Sequence, residues 1–136
     1  MITAVDSNVL VDIMKGDPVH GGASAAALEL AVLAGGVLAC DIVWAEVAAG
    51  FSELEDFRSG MDRLGISFSP MSSASAEAAS VAWRSYRQQG GSRGRIVADF
   101  LVGAHALAHA DRLLTRDRGF YRRYFADLAV IEPTAP

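Results

Sequence analysis

A chain of 136 residues that is 51% hydrophobic and 21% charged holds enough apolar mass for one core and lacks the polar bias of a disordered segment. Its one cysteine, Cys40, excludes an internal disulfide and a cysteine-rich zinc site, and its start lacks the basic region and cleavage site of a signal peptide, so a cytoplasmic location is expected. The net charge of −4 argues against general affinity for nucleic acid, yet nine arginines and three aspartates lie between Arg84 and Arg123, leaving the remainder strongly acidic.

The first apolar run, ITAVD (2–6), reads as a strand closed by Asp6, with a helix following over 9–15. Burying a carboxylate is costly unless it is paired or holds a cation, so Asp6 needs a partner elsewhere in the chain. Asp12, further along the same helix, reads as a surface acid. The alanine-rich stretch 22–34 is read as a helix; Glu29 and the pair Gly35 and Gly36 make it a poor membrane span, and no membrane association is expected. GVLAC (36–40) is the second strand, followed by a helical pattern over 42–64 with a break near Gly50.

Asp41 is the expected N-cap of that helix, and Glu46 sits one turn inside it among Trp44, Ala45, Val47 and Ala48, so the helix should be largely buried around the acid. Cys40 and Trp44 read as core. GISFS (65–69) is the third strand and 74–89 a helix on which Trp83 is a core or dimer contact. The glycine-rich loop GGSRGR (90–95) offers Arg93 and Arg95 to phosphate. The next helix, over 96–110, has almost no polar face apart from Asp99, His105 and His109, and Gly103 is expected to leave space beside Asp99. The two histidines have the four-residue spacing of a zinc pair, but the glutamate of HExxH is missing and no third ligand is evident, which favours a packing or surface role.

RLLT (112–115) is the fourth strand, Asp117 opens a short helix, and LAVIE (128–132) is the fifth strand. RDRGFYRRYF interleaves Arg116, Arg118 and Arg122 with Phe120, Tyr121 and Tyr124, so the arginines can bind phosphates and the rings can stack on unpaired bases. For Phe120 and Tyr124 the four-residue spacing favours burial against the sheet instead.

Strands alternating with helices predict one α/β domain over 1–136 with a parallel sheet covered on both faces, whose ligands collect beyond the carboxyl ends of the strands. Asp6, Glu46, Asp99 and Asp117 each lie at a strand end or a helix start, positions that can meet there. Taken singly, each acid is equally well read as a helix cap or an arginine's partner; four together make that reading the weaker one. Converging carboxylates repel and raise one another's pKa, and a divalent cation resolves the conflict. Oxygen-only donors suit Mg²⁺, with Mn²⁺ as substitute, better than zinc or copper.

VDSNVLVDI, WAEV, VADFLVGAHAL and LLTRDRGF, in this order, resemble PIN-domain ribonucleases, specifically the VapC-like toxins of bacterial toxin–antitoxin pairs, over nearly the whole chain. The resemblance implies a PIN-like three-layer fold with a five-stranded parallel sheet flanked by helices. It implies a Mg²⁺-dependent endoribonuclease, a homodimer held inactive by a VapB-like antitoxin whose C-terminal segment lies along the active-site groove. Matched by position, Asp6, Glu46, Asp99 and Asp117 form the acidic site, Ser7 replaces the hydroxyl residue after the first aspartate, and Thr115 is the threonine of the T-x-D turn. Asn8 stands where serine is frequent, and Asp41 stands where serine usually precedes the Glu46 helix.

In that scheme Asp6 and Asp99 bind the metal directly, Glu46 is a ligand or orients the attacking water, Asp117 supports from the rim, and Ser7, Asn8 and Thr115 back them. An Asp-centred phosphatase or a receiver domain fits less well: the former wants an aspartate where Asn8 stands, and Lys15 is the one lysine for either. A non-catalytic RNA- or protein-binding module on the same fold and a housekeeping PIN nuclease without an antitoxin remain as alternatives.

Overall fold

The computed structural model describes residues 1–91 and 97–134. The short apolar runs form strands β1 (Thr3–Val5), β2 (Val37–Cys40), β3 (Ile66–Ser69), β4 (Arg112–Leu114) and β5 (Val130–Ile131). All pair in parallel in one sheet of order β3-β2-β1-β4-β5. Thr3 aligns with Val37 on one side and Arg112 on the other, and Val5 aligns with Leu114. β1 is therefore central and buried throughout, as a run without polar alternation requires. The chain winds outward from β1 through β2 to β3, then returns to the other side of β1 for β4 and β5. This switch in direction opens a crevice at the carboxyl ends of β1 and β4.

The helices are α1 (Ser7–Met14), α2 (Gly21–Ala34), α3 (Asp41–Ala48), α4 (Leu54–Leu64), α5 (Ser73–Gln88), α6 (Val97–His109) and α7 (Arg118–Tyr124). The α/β architecture and five-stranded parallel sheet expected from the sequence are present. The break near Gly50 separates α3 from α4, and α4 ends on Gly65, whose φ of +75° is the left-handed C-cap conformation that glycine adopts without strain. Among the described residues no helix is long and apolar enough to cross a membrane.

Four local expectations need correction. Asp41 is not the N-cap of α3: Cys40 is, because the helix starts directly on the last residue of β2. Asp41 becomes the first helical residue, where its charge favours the helix dipole, and its carboxylate accepts the Met71 backbone N–H at 3.3 Å. The surroundings of Glu46 are less buried than its neighbours suggest, since Val43 and Val47 carry the buried face while Ala45 and Glu46 are exposed. Gly103 makes room for the Phe125 ring rather than for Asp99, because a Cβ there would stand 2.5 Å from Phe125 Cε2. Asp12 is not a surface acid but is buried.

The remaining packing follows the sequence. Cys40 is buried, and Trp44 sets its edge against Phe57 and Phe68 at ring distances of 5.2 and 5.3 Å. Phe120 and Tyr124 are half-buried against Phe100, while Trp83 is half-buried beneath the Arg87 guanidinium. His105 is buried with a ring nitrogen 2.9 Å from Ser69 Oγ, and His109 stacks beside it and reaches Ser75 Oγ at 3.3 Å. Burial and the neighbouring His109 hold the His105 pKa below its ordinary value, against Asp41 and Ser69. The pair serves packing between α6, β3 and α5.

Candidate active site

Asp6 follows β1 directly and caps α1 from extended backbone, so the strand delivers its carboxylate into the crevice. Its Oδ1 accepts the Ser7 N–H at 2.8 Å, and its Oδ2 accepts the hydroxyls of Thr115 at 2.8 Å and Tyr121 at 3.1 Å. These donors satisfy a group that is 5% exposed. Burial nevertheless lifts the Asp6 pKa above the ordinary carboxylate value; the three hydrogen bonds pull it back, and Asp117 pushes it further up.

Glu46 faces the same point from α3. Although the residue is exposed, its pKa is raised first by partial desolvation of its carboxyl, then by the charges of Asp6 and Asp99, against a 3.4 Å hydrogen bond from Ser7 Oγ. Asp99 lies in the first turn of α6, and because α6 leads into β4 of a parallel sheet, that turn stands at the carboxyl ends of the strands. Asp117 begins α7 just past β4, and its N–H donates to Thr115 Oγ1 at 3.0 Å. The hydroxyl of Thr115 thus joins Asp6 to the turn that carries Asp117. Asn8 completes this junction, its amide 3.5 Å from Thr115 Oγ1 and its oxygen accepting the Arg116 N–H at 3.2 Å.

The four acids named from the sequence therefore lie toward one end of the sheet, with the charges of Asp6 and Asp99 acting on Glu46 and that of Asp117 on Asp6. Among the described residues, no three His, Cys, Asp or Glu side chains form a cage that could hold a metal ion. The donor set suits a hard cation even so, because Mg²⁺ keeps several waters and needs one or two carboxylates plus substrate phosphate.

Tyr121, which the sequence offers as a base-stacking ring, is instead fully buried against Asp6; burial and the charges of Asp6 and Asp99 push its hydroxyl pKa far up, so it stays a donor. Nothing in the sequence separates it from its aromatic neighbours. Arg116 is turned inward as well: Nε stands 2.6 Å from Asp12 Oδ2 and Nη2 3.0 Å from Oδ1, with Ser24 Oγ also donating to Oδ2 at 2.9 Å. Arg118 pairs with Glu132 at 3.2 Å, and Arg122 is exposed. Arg93 and Arg95 lie outside the described residues.

Residues 3–126 match the PIN domain family. The chain belongs to that family. PIN domains are generally nucleases and typically use divalent metals. No curated protein matches the chain. Similar solved structures include VapBC2 from Rickettsia felis bound to a DNA fragment from their promoter, with a TM-score of 0.76 at 22% identity, covering 97% of this chain and 98% of that one. FitAcB from Neisseria gonorrhoeae has a TM-score of 0.72 at 22% identity over 98% of each chain. VapBC-1 from nontypeable Haemophilus influenzae has a TM-score of 0.73 at 19% identity, covering 99% of this chain and 100% of that one. At these identities the likeness establishes the PIN fold.

Proposed function

We propose that this PIN domain is a Mg²⁺-dependent endoribonuclease, a VapC-like toxin that forms a single cytoplasmic domain over 1–136, dimerises and is restrained by a VapB-like antitoxin. The observation that carries this reading is the buried Asp6 carboxylate, held by three donors while Glu46, Asp99 and Asp117 face the same crevice. The groups that hold it are two hydroxyls and a backbone N–H, and the charge of Asp117 acts on it, which supports a site built for a cation.

Asp6 and Asp99 would hold the cation, Mg²⁺ or its substitute Mn²⁺, with Glu46 beside them. When bound, the cation polarises the scissile phosphate and lowers the pKa of a water. Thr115 and Tyr121 fix the rotamer of Asp6, Ser7 orients Glu46, Glu46 orients the attacking water, and Asp117 supports from the rim with Asn8 holding its turn. Attack in line on phosphorus breaks the bond to the 3′-oxygen and leaves a 5′-phosphate and a 3′-hydroxyl.

Arg122 and Arg118, with Arg93 and Arg95, supply charge for the RNA backbone. An antitoxin is supported by two features. The solved neighbours include a toxin–antitoxin complex from Klebsiella pneumoniae. An apolar cleft of Val11, Met14, Val47 and Phe51 also runs beside Glu46, where a partner's C-terminal segment can lie.

The test is cleavage of a single-stranded RNA and its DNA counterpart with Mn²⁺, followed by end-group analysis. Cleavage of RNA alone with 3′-hydroxyl ends, lost in Asp99→Asn, is the expected result. Cyclic 2′,3′-phosphate ends would mean attack by the ribose hydroxyl and overturn the mechanism, and RNA binding without cutting would make the protein a binding module.

A further inference from the structure

The T-x-D turn after β4 is attached to α1 at three points. Thr115 Oγ1 donates to Asp6 Oδ2, the Arg116 backbone N–H donates to Asn8 Oδ1, and the Arg116 guanidinium donates from two nitrogens to the two oxygens of Asp12. α1 is a rigid rod between these points, rising about 1.5 Å per residue, so Asp12 stands roughly 9 Å along the helix from Asp6. The two-pronged contact fixes angle as well as distance, which a lysine's single ammonium cannot do. Side-chain exposure is 33% for Arg116 and 5% for Asp12, so the carboxylate end of the pair is sheltered and salt screens it less than a surface pair. Ser24 on α2 holds the Asp12 carboxylate from its other side.

We propose that Asp12 and Arg116 are positioning residues: their forked ion pair locks the turn bearing Thr115 and Asp117 against α1, setting where the acids stand relative to Asp6. Arg116 then acts through Asp12 rather than on RNA phosphate, the role its place in an arginine-rich stretch suggested. The catalytic consequence rests on the nuclease reading above; the structural one does not.

A double-mutant cycle with Asp12→Asn and Arg116→Lys separates the two roles, read in the full-length protein by three measurements. They are amide hydrogen exchange of residues 115–117 without metal, Mn²⁺ affinity, and kcat against KM on an RNA oligonucleotide. Each single variant should speed exchange at 115–117 while β1 stays protected, and should lower Mn²⁺ affinity and kcat by about 10–100-fold with KM within about twofold. The double variant should be no worse than the weaker single, because both changes remove one interaction.

The proposal is overturned if Arg116→Lys behaves like wild type, if Arg116→Ala raises KM while Asp12→Asn does not, or if both variants lose thermal stability with turnover per folded molecule unchanged. Should either variant fail to fold, Ser24→Ala, which removes one of the contacts on Asp12, must produce a smaller change of the same kind. If wild-type protein cuts no RNA, the nuclease reading falls, and exchange at 115–117 still decides the clamp.

Discussion

Asp6 is held by hydrogen bonds from two side-chain hydroxyls contributed by distant parts of the chain, so its environment is testable one donor at a time. Tyr121→Phe removes a donor from a charged, buried acceptor and should cost roughly 1–3 kcal/mol in denaturant unfolding. Because that hydrogen bond lowers the Asp6 pKa, its loss should also move the acid limb of the activity profile to higher pH; an unmoved profile would mean Asp6 is not the titrating group. Glu46 shares the upward shift, since partial desolvation and its neighbours Asp6 and Asp99 raise its pKa above the ordinary 4.5. The folded state then binds the proton more tightly than the unfolded chain, so the charged group costs stability once pH rises through the raised value. Glu46→Gln should therefore raise the Tm of metal-free protein at pH 7, with the gain vanishing below pH 4.5, and should diminish stabilisation by Mn²⁺. A lower Tm at pH 7 would contradict this. Asp6, Glu46 and Asp99 are legible in the sequence because each interrupts an apolar pattern, and Asp117 because it follows a short apolar strand. Tyr121 and Asp12 are not: a buried tyrosine hydroxyl looks like any other aromatic, and the partner of Asp12 lies 104 residues away.

Element boundaries came close because the strands are short apolar runs and the helices have apolar faces, both visible along the chain. What the sequence left open was contact between elements. Gly103 illustrates this: its place on the Asp99 face suggested room for a carboxylate, whereas the space belongs to Phe125, brought in after α7. Gly103→Ala would press a methyl into a ring that is 6% exposed and has little freedom to move. The expected cost is about 1–3 kcal/mol in equilibrium unfolding, and an unchanged midpoint would mean the Phe125 ring turns aside freely. The cap of α3 was misplaced by one residue for a related reason, since helix propensity cannot signal that a strand passes into a helix with no linker. Asp41 then finds its partner in the Met71 N–H beyond β3, a contact with no local sequence signal.

Across the whole molecule, the chain divides its charge so that an acidic crevice adjoins an arginine-bearing segment, a distribution that net charge alone conceals. The exposed Arg122 should contribute to RNA affinity without regard to sequence: Arg122→Ala should weaken binding of every single strand alike and reduce the log–log salt slope by about 0.7. A sequence-dependent loss would mean Arg122 reads bases. Parallel topology places all four acids toward one end of one sheet, and the charges acting on Asp6 and Glu46 there are the electrostatics on which the nuclease reading depends. The most direct measurement is cleavage of total cellular RNA by the purified, partner-free protein with Mg²⁺, with Mn²⁺ and with EDTA, beside Asp6→Asn. Discrete fragments that require a divalent cation and disappear, by about 100-fold or more, in Asp6→Asn are the predicted result; fragments that persist in EDTA or in Asp6→Asn would contradict it.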